Sequence, residues 1–278
     1  MLACCCFKSC SLYYVALVSA MGVACASAAA DPAWKAELTP ATLGPHPKLS
    51  PVALDFELSW KGMIHSGQVH LEFAPRDAKK PGAYVVHSIG MSQGLAAGLF
   101  PFRYDFWSEL HLDSLAPWYF HAVETDAKET VTTTTRYHAD RVESDESTQN
   151  LSSGKTAKAL RNFKLAGVHD MFSAMLFIRS QALNAGDRIT LVVLPFKTPY
   201  LLRVESNGRE VHDGRNAIKL TIAMQKINRD TLELLPYKKL KRSATLWLSD
   251  DANRIPIELR AAVFIGDVRA SLTGSRNL

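Results

Sequence analysis

Three places in the chain combine residue type and spacing in ways that suit chemistry. Gly90-Met91-Ser92-Gln93-Gly94 is a G-x-S-x-G sequence, set between a strand predicted over Ala83–Ile89 and a short apolar helix predicted within residues 91–101. A tight turn in that context lifts a serine hydroxyl above a sheet, as a nucleophile elbow requires. Asp105, Glu109 and Asp113 lie in a segment rich in rings: Tyr104, Phe106, Trp107, Trp118 and Tyr119. Carboxylates among aromatic rings suit sugar binding by stacking, and general acid catalysis on a glycosidic bond. Arg179 falls on the same helical stripe as Phe172, Met175, Leu176 and Leu183. A guanidinium buried there must be paired. Its partner is either a sheet carboxylate, with Glu57, Asp105 and Glu109 the candidates, or the anionic head of a ligand held by the planar fork of donors.

Each place also has a plainer reading. A serine hydrolase of the elbow type needs parallel βαβ units, with an acid and then a histidine later in the chain. Here the last histidine is His212, in the Gly208–Gly214 turn region, and the surrounding strands are antiparallel in character. Ser92 therefore reads first as part of a strand-to-helix turn. Asp105 and Glu109 share strand parity, so they also fit an outward polar face over an inward aromatic one. The segment is nonetheless the best candidate for a functional surface, with Tyr104, Asp105, Trp107, Glu109, Trp118 and Arg179 as the expected ligand-binding residues. The nine histidines show no His-x-x-x-His or Glu-x-x-His spacing. Asp250, Asp251 and Asn253 lack the later bidentate acid of a calcium loop and read as a hairpin turn. No metal and no cofactor are expected.

The elements that must position these residues are mostly strands. Leu54, Phe56, Leu58 and Trp60 alternate with polar residues, as do Val69, Leu71 and Phe73, which predicts an antiparallel pair. Further strands are predicted over 103–112, 118–125, 129–138, 188–194, 200–205, 217–227, 244–249, 255–265 and 268–272. The Thr132 to Thr135 run favours strand over helix. Residues 144–157, polar and rich in Ser, are expected to form an exposed loop. The clearest helix begins after Asp170, a good N-cap, with Gly186 as its stop. Met171–Ile178 is apolar on nearly every face, which predicts a helix buried on most sides. Ten to thirteen strands and two helices in this order point to a mainly β fold. We expect a large curved antiparallel sheet or partly open β-barrel, wrapped around the one buried helix.

All five cysteines lie in the first 25 residues, together with a single charge, Lys8, and an apolar run from Leu12 to Ala26. Ala26-Ser27-Ala28 and Ala28-Ala29-Ala30 are small-x-small cleavage sites, so residues 1–30 read as a secretory signal peptide. Gly22-Val23-Ala24-Cys25 departs from a lipoprotein box, Gly22 standing where Leu is usual, so cleavage after Ala28 or Ala30 is preferred to lipidation at Cys25. Cleavage leaves a cysteine-free chain, which excludes disulfides, thiol nucleophiles and thiolate metal sites. It also removes Lys8, taking the formal charge from +5 to +4. That charge is too mild, and the cluster Lys238, Lys239, Lys241, Arg242 too short, for a nucleic-acid surface. Residues 31–51, with five prolines, are expected to be an extended, mostly unpacked linker, and 52–278 a single β-rich domain. The apolar run is too short for a retained membrane span, which takes about 20 residues.

Certain motifs of the second half go together. His169-Asp170-Met171-Phe172-Ser173 runs into Phe177-Ile178-Arg179. Ala185-Gly186-Asp187 follows, then the hairpin Leu246-Trp247-Leu248-Ser249-Asp250-Asp251-Ala252-Asn253-Arg254-Ile255-Pro256, and lastly Phe264-Ile265-Gly266-Asp267-Val268. This combination resembles the bacterial envelope family known as domain of unknown function 3108. The resemblance covers most of residues 52–272 and is strongest in the Trp-x-Ser-Asp-Asp hairpin. It implies an exported, β-rich protein, similar in shape to lipoprotein-carrier folds, and brings no catalytic residues with it. The expected function is an exported periplasmic, non-catalytic protein holding an apolar or amphipathic ligand, lipid or glycan, or an envelope partner, in a β concavity. Two alternatives are kept. One is an envelope hydrolase acting through Ser92 or through Asp105, Glu109 and Asp113. The other is an assembly factor whose concavity is filled by its own helix.

Overall fold

The computed structural model describes residues 31–48, 50–75, 83–236, 243–263 and 266–278. The expected signal peptide, Cys25 and the Lys238–Arg242 cluster lie outside the described residues. Pro32–Leu278 is a compact unit by itself. Its strands are β1 (Val52–Trp60), β2 (Ile64–Pro75), β3 (Ala83–Ser92), β4 (Phe102–His111), β5 (Pro117–Asp126), β6 (Glu129–Tyr137), β7 (Val142–Asn150), β8 (Thr156–Phe163), β9 (Val168–His169), β10 (Arg188–Val193), β11 (Tyr200–His212), β12 (Arg215–Ile227), β13 (Leu234–Pro236), β14 (Ala244–Ser249), β15 (Pro256–Val263) and β16 (Gly266–Asn277). Two α-helices interrupt them: α1 (Gly94–Leu99) after β3 and α2 (Met171–Ser180) after β9.

The strands form one sheet in the order β8-β7-β6-β5-β4-β3-β2-β1-β16-β15-β14-β12-β11-β10-β9, with β13 paired to β12. Neighbours are antiparallel except β9 with β10. The alternation that predicted the first hairpin is its actual register, Leu54 opposite Leu71 and Val52 opposite Phe73. Sixteen strands among the described residues exceed the expected ten to thirteen; the additions are the short β9 and β13, and β7 and β8, which take up most of 144–157. That segment is not a loop. β7 pairs along its whole length with β6, and β8 pairs with β7. Apolar alternation is missing because only the first residues of β7 reach the core, Val142 and Ser144 being its buried members. Cross-strand polar pairs hold the rest, among them Thr135 Oγ1 to Ser144 Oγ at 3.0 Å and Arg136 to Asp145 at 3.2 Å.

The sheet curls far enough for its two ends to meet through side chains rather than through a backbone ladder. Val142 and Phe163, from β7 and β8, pack in one cluster with Val168, Val192 and Leu194, from around β9 and β10. Tyr137 Oη donates to the Leu194 carbonyl at 3.1 Å across the same seam. The segment before β1 seals it. Trp34 sits in a 3₁₀ turn, Ala33–Glu37, is buried in that cluster, and its indole Nε1 donates to Leu232 O at 2.9 Å. Thr39 N donates to Thr190 O at 2.9 Å and His46 N to Ser180 O at 2.9 Å. The segment expected as an unpacked linker is therefore extended but strapped down. These three hydrogen bonds and the burial of the indole hold it despite the freedom its prolines suggested.

α2 is buried on most of its surface, as its composition predicts. Phe172 and Leu176 join the core of β1–β5, and Ala174, Phe177 and Ile178 join the core of β10–β14. At roughly 1.5–3 kcal/mol for each large side chain fully removed from water, this packing anchors the helix. It ends at Ser180, short of Gly186.

Candidate functional site

α2 is fastened at both ends by buried polar groups. At its start Asp170, fully buried, accepts from Phe172 N at 2.7 Å and Ser173 N at 2.8 Å, the expected N-cap. Its second oxygen accepts from Ser108 Oγ of β4 at 2.6 Å, which ties the cap to the sheet. Burial raises the Asp170 pKa, opposed by those hydrogen bonds. His169 beside it is also buried, with Nδ1 3.2 Å from Ser173 Oγ, and burial pushes its pKa down to about 4. It is a neutral imidazole at neutral pH.

At the other end two arginines clasp backbone. Arg179, only 2% exposed, donates from Nε to Asn253 O at 2.7 Å and from Nη2 to Lys48 O at 2.7 Å and Ala252 O at 3.3 Å. Arg254 reaches the opposite way, from Nη1 to Arg179 O at 3.2 Å and to Gln181 O, and from Nη2 to Ala182 O at 3.1 Å. The two side chains thus lock the last turn of α2 to the β14–β15 turn and to the strap before β1. Arg254 takes up carbonyls that a longer helix would have used, which explains the early stop. Neither arginine has a carboxylate at its fork, and burial lowers both pKa values, that of Arg179 to about 10. Among the described residues the expected salt bridge from Arg179 to Glu57, Asp105 or Glu109 is absent, the guanidinium being taken up by the three carbonyls. Glu57 pairs instead with His65 at 3.1 Å.

Held this way, α2 does not fill the concavity. Met171, Ala174, Met175 and Ile178, spaced as one helical stripe, form one wall of a cavity of about 360 Å³. Phe56, Val69 and Leu71 of β1 and β2 face them from one side; Leu202, Ile222 and Met224 of β11 and β12 from another. Leu246, Leu248, Leu259 and Ala270 of β14–β16 complete the apolar lining. A second space of about 500 Å³ shares Pro195 and Met224 with it. This one sets charged groups among apolar ones: Glu124, Asp126, Glu129, Glu146 and Lys197 share its lining with Phe102, Phe196 and Tyr200. Glu146 is held by Arg161 at 3.2 Å and Lys197 at 3.8 Å. Burial raises the Glu124 pKa, and the neighbouring Glu146 charge adds to this against Lys197.

The aromatic and acidic segment is divided by the pleat of β4. Tyr104 shares a face with Phe106 and Ser108, stacks on Phe106 at 4.1 Å and meets Ser88 Oγ at 3.2 Å. Asp105, Trp107 and Glu109 take the opposite face. Asp105 is exposed and pairs with His87 at 2.9 Å. Glu109 is buried and accepts from Trp107 Nε1 at 3.2 Å. Trp118 is half-buried on β5, 6.0 Å from the Tyr119 ring, and Asp113 lies in the β4–β5 turn. The six residues expected to bind ligand therefore do not converge, and none of them lines either space. Strand parity linked Asp105 and Glu109 correctly, but one is solvated and the other is enclosed, so they do not flank an open cleft.

Ser92 is a bridge in its turn. Its Oγ accepts from Phe102 N at 2.9 Å and donates to Phe102 O at 3.3 Å, joining the end of β3 to the start of β4. Both glycines of the motif have structural reasons. A Cβ on Gly90 would stand 2.3 Å from the Tyr104 ring, and Gly94 has φ +55°. His212 is engaged elsewhere, 2.7 Å from Glu258 and stacked on Trp247 at 4.0 Å.

The α2 stripe, the Ser108–Asp170 link and the Arg254 clamp are missing from the sequence reading. Arg254 lies inside the hairpin that carried the resemblance, but nothing in its spacing marks carbonyl partners in a helix some 73 residues earlier.

The fold has a relative among solved structures. A β-barrel-like protein of domain of unknown function DUF1849 from Brucella abortus superposes with a TM-score of 0.53 at 11% identity, over 83% of this chain and 99% of its own. At that identity the likeness concerns the fold alone. No curated protein matches. The family model DUF3108, a protein of unknown function, matches residues 55–273, from β1 to β16, with both helices and both cavity walls inside it. The chain belongs to the DUF3108 family.

Proposed function

We propose that this protein is a non-catalytic binding protein that holds the apolar part of a lipid-like, amphipathic molecule against α2. The observation that carries the reading is the 360 Å³ cavity walled by Met171, Met175, Ile178 and the facing strands. Its volume falls in the range of roughly 300–1,000 Å³ usual for small-ligand sites. Methionine side chains on two walls adapt to flexible chains better than branched residues do. The charged space beyond Pro195 and Met224 would take the ligand's head group. The clamp at each end of α2 favours a preformed site, which lowers the cost of binding. An exported, periplasmic setting is part of the same proposal and rests on the character of residues 1–30.

The hydrolase alternative has less support, since Ser92 is committed to Phe102 and the carboxylates of β4 do not share a cleft. A wholly filled core fits the cavity poorly. Titration with a fluorescent long-chain fatty acid tests the proposal. Saturable, one-to-one binding is expected, and Ala270→Trp, which projects an indole into the cavity, should abolish it while the fold is retained. Failure of the native protein to bind this probe or an uncharged acyl ester would refute the reading, as would binding unchanged in Ala270→Trp.

A further inference from the structure

α1 is an anomaly by the ordinary rule for surface helices. Its sequence, Gly94-Leu95-Ala96-Ala97-Gly98-Leu99, is wholly apolar, yet none of its residues is buried. Leu95 is 78% exposed, Leu99 72% and the following Phe100 77%. The neighbouring β1–β2 turn adds Met63 at 79%, with Trp60 and Ile64 beside it. The two segments are joined, since Gln93 N donates to Ser66 O at 3.0 Å and the Gln93 side chain meets the His65 ring. They therefore form one apolar prominence at one end of the sheet. Scattered exposed leucines are ordinary, but a contiguous group on adjoining turns marks a contact surface.

We propose that this prominence docks the protein on a lipid surface carrying anionic head groups. Three features favour a bilayer over a protein groove. The side chains of Leu95, Leu99, Phe100 and Met63 are each more than 70% exposed, and a fluid acyl layer needs no matching pocket to receive them. Lys61 and Arg103 are exposed on these two segments, and of the acids beside them Glu57 pairs with His65, Asp267 with Arg269 and Asp105 with His87, so that the two cations are left to face anionic lipid. Trp60, with Lys61 Nζ 5.8 Å from its ring centre, supplies the amphipathic ring typical of the membrane–water boundary. Phe102, which closes the α1 connection, also lines the charged space leading toward the apolar cavity. The surface itself does not depend on what the cavity holds.

Vesicle flotation of the Pro32–Leu278 unit tests this. Binding is expected to phosphatidylcholine vesicles containing phosphatidylglycerol, and weaker binding to phosphatidylcholine alone. Leu99→Glu/Phe100→Glu should reduce it by roughly tenfold or more, because a charge is costly among acyl chains. Met63→Glu, on a different element, should also reduce it, so that a local defect in α1 cannot explain the result. Leu160→Glu, at an exposed position on β8, four strands away from β4 in the sheet, should bind as the native chain does. The proposal is overturned if the native unit does not bind phosphatidylglycerol vesicles, or if the α1 and Met63 variants bind as it does. It is equally overturned if the prominence drives self-association instead, seen as concentration-dependent sedimentation that the same variants remove without any vesicle binding.

Discussion

Replacing Arg254 by alanine should be among the most destabilising single changes in this protein. The side chain is 2% exposed and donates to three carbonyls at the end of α2, those of Arg179, Gln181 and Ala182. Hydrogen bonds from a charged donor are worth roughly 1.5–3 kcal/mol each. Their gross sum is offset by the cost of burying a guanidinium with no carboxylate, a cost of several kcal/mol that its lowered pKa reflects. The net loss should be about 3 kcal/mol, a large part of the roughly 5–15 kcal/mol that holds a domain together. Backbone strain cancels in this comparison: Arg254 has φ +47°, and alanine bears the same Cβ penalty. Arg254→Gly relieves that penalty and should be more stable than Arg254→Ala by about 1 kcal/mol. Arg254→Lys keeps the charge but not the fork, and should recover less than half of the loss. Urea unfolding would show a lower midpoint at constant slope, and the melting temperature should fall by about 6–12 °C. A loss under about 1 kcal/mol for Arg254→Ala, or full recovery by lysine, would refute the clamp.

Other consequences can be measured in the same way. His169 has its pKa depressed to about 4 by burial. The unfolded chain therefore takes up a proton near pH 6.5 that the folded chain refuses, so stability present above pH 6.5 is lost as the pH falls toward 4. Relative to His169→Gln, the native protein should lose about 2 kcal/mol between pH 7 and pH 5, read from paired urea titrations; parallel curves would contradict this. His70 has its pKa raised by hydrogen bonds to Asp55 and Glu72. Its contribution is present below pH 6.5 and fades as the pH rises through the folded-state value, so the stability gap to His70→Gln should narrow with alkalinity. Ser108→Ala removes the donor at 2.6 Å from the buried Asp170 and should cost about 2 kcal/mol in chemical denaturation; a neutral result would mean that the cap does not need its link to β4. If an acyl chain occupies the cavity, affinity measured by calorimetry should rise about fourfold per methylene, near 0.8 kcal/mol each, and then level off when the space is full. A flat response to chain length would argue for another ligand.

Much of the fold was legible because solvent contact is written into alternation. Leu54 and Phe56 of β1, or Leu71 and Phe73 of β2, announce strands whose one face is dry. β7 and β8 were not legible for the same reason in reverse: near the free end of the sheet both faces meet water, and a polar strand looks like a loop. The site was less visible. Tyr104, Asp105, Trp107 and Glu109 are consecutive enough to suggest one surface, yet the pleat sends them to opposite faces. Arg179 was correctly marked as a buried charge, but its partners are backbone carbonyls, which every residue carries and no sequence distinguishes.

By itself the amino-acid sequence determined a cysteine-free β-rich body after residue 30, the family, the N-cap of α2 and the burial of that helix. These depend on local propensity and on how often apolar residues recur, quantities that neighbouring residues carry among themselves. Tertiary structure alone decided that α2 leaves a cavity rather than filling one, that Arg179 and Arg254 clasp backbone carbonyls of distant segments, and that α1 stands uncovered. Each of these follows from where distant strands come to rest after the sheet curls. The volume left between Met175 and Ala270 is set by that curvature.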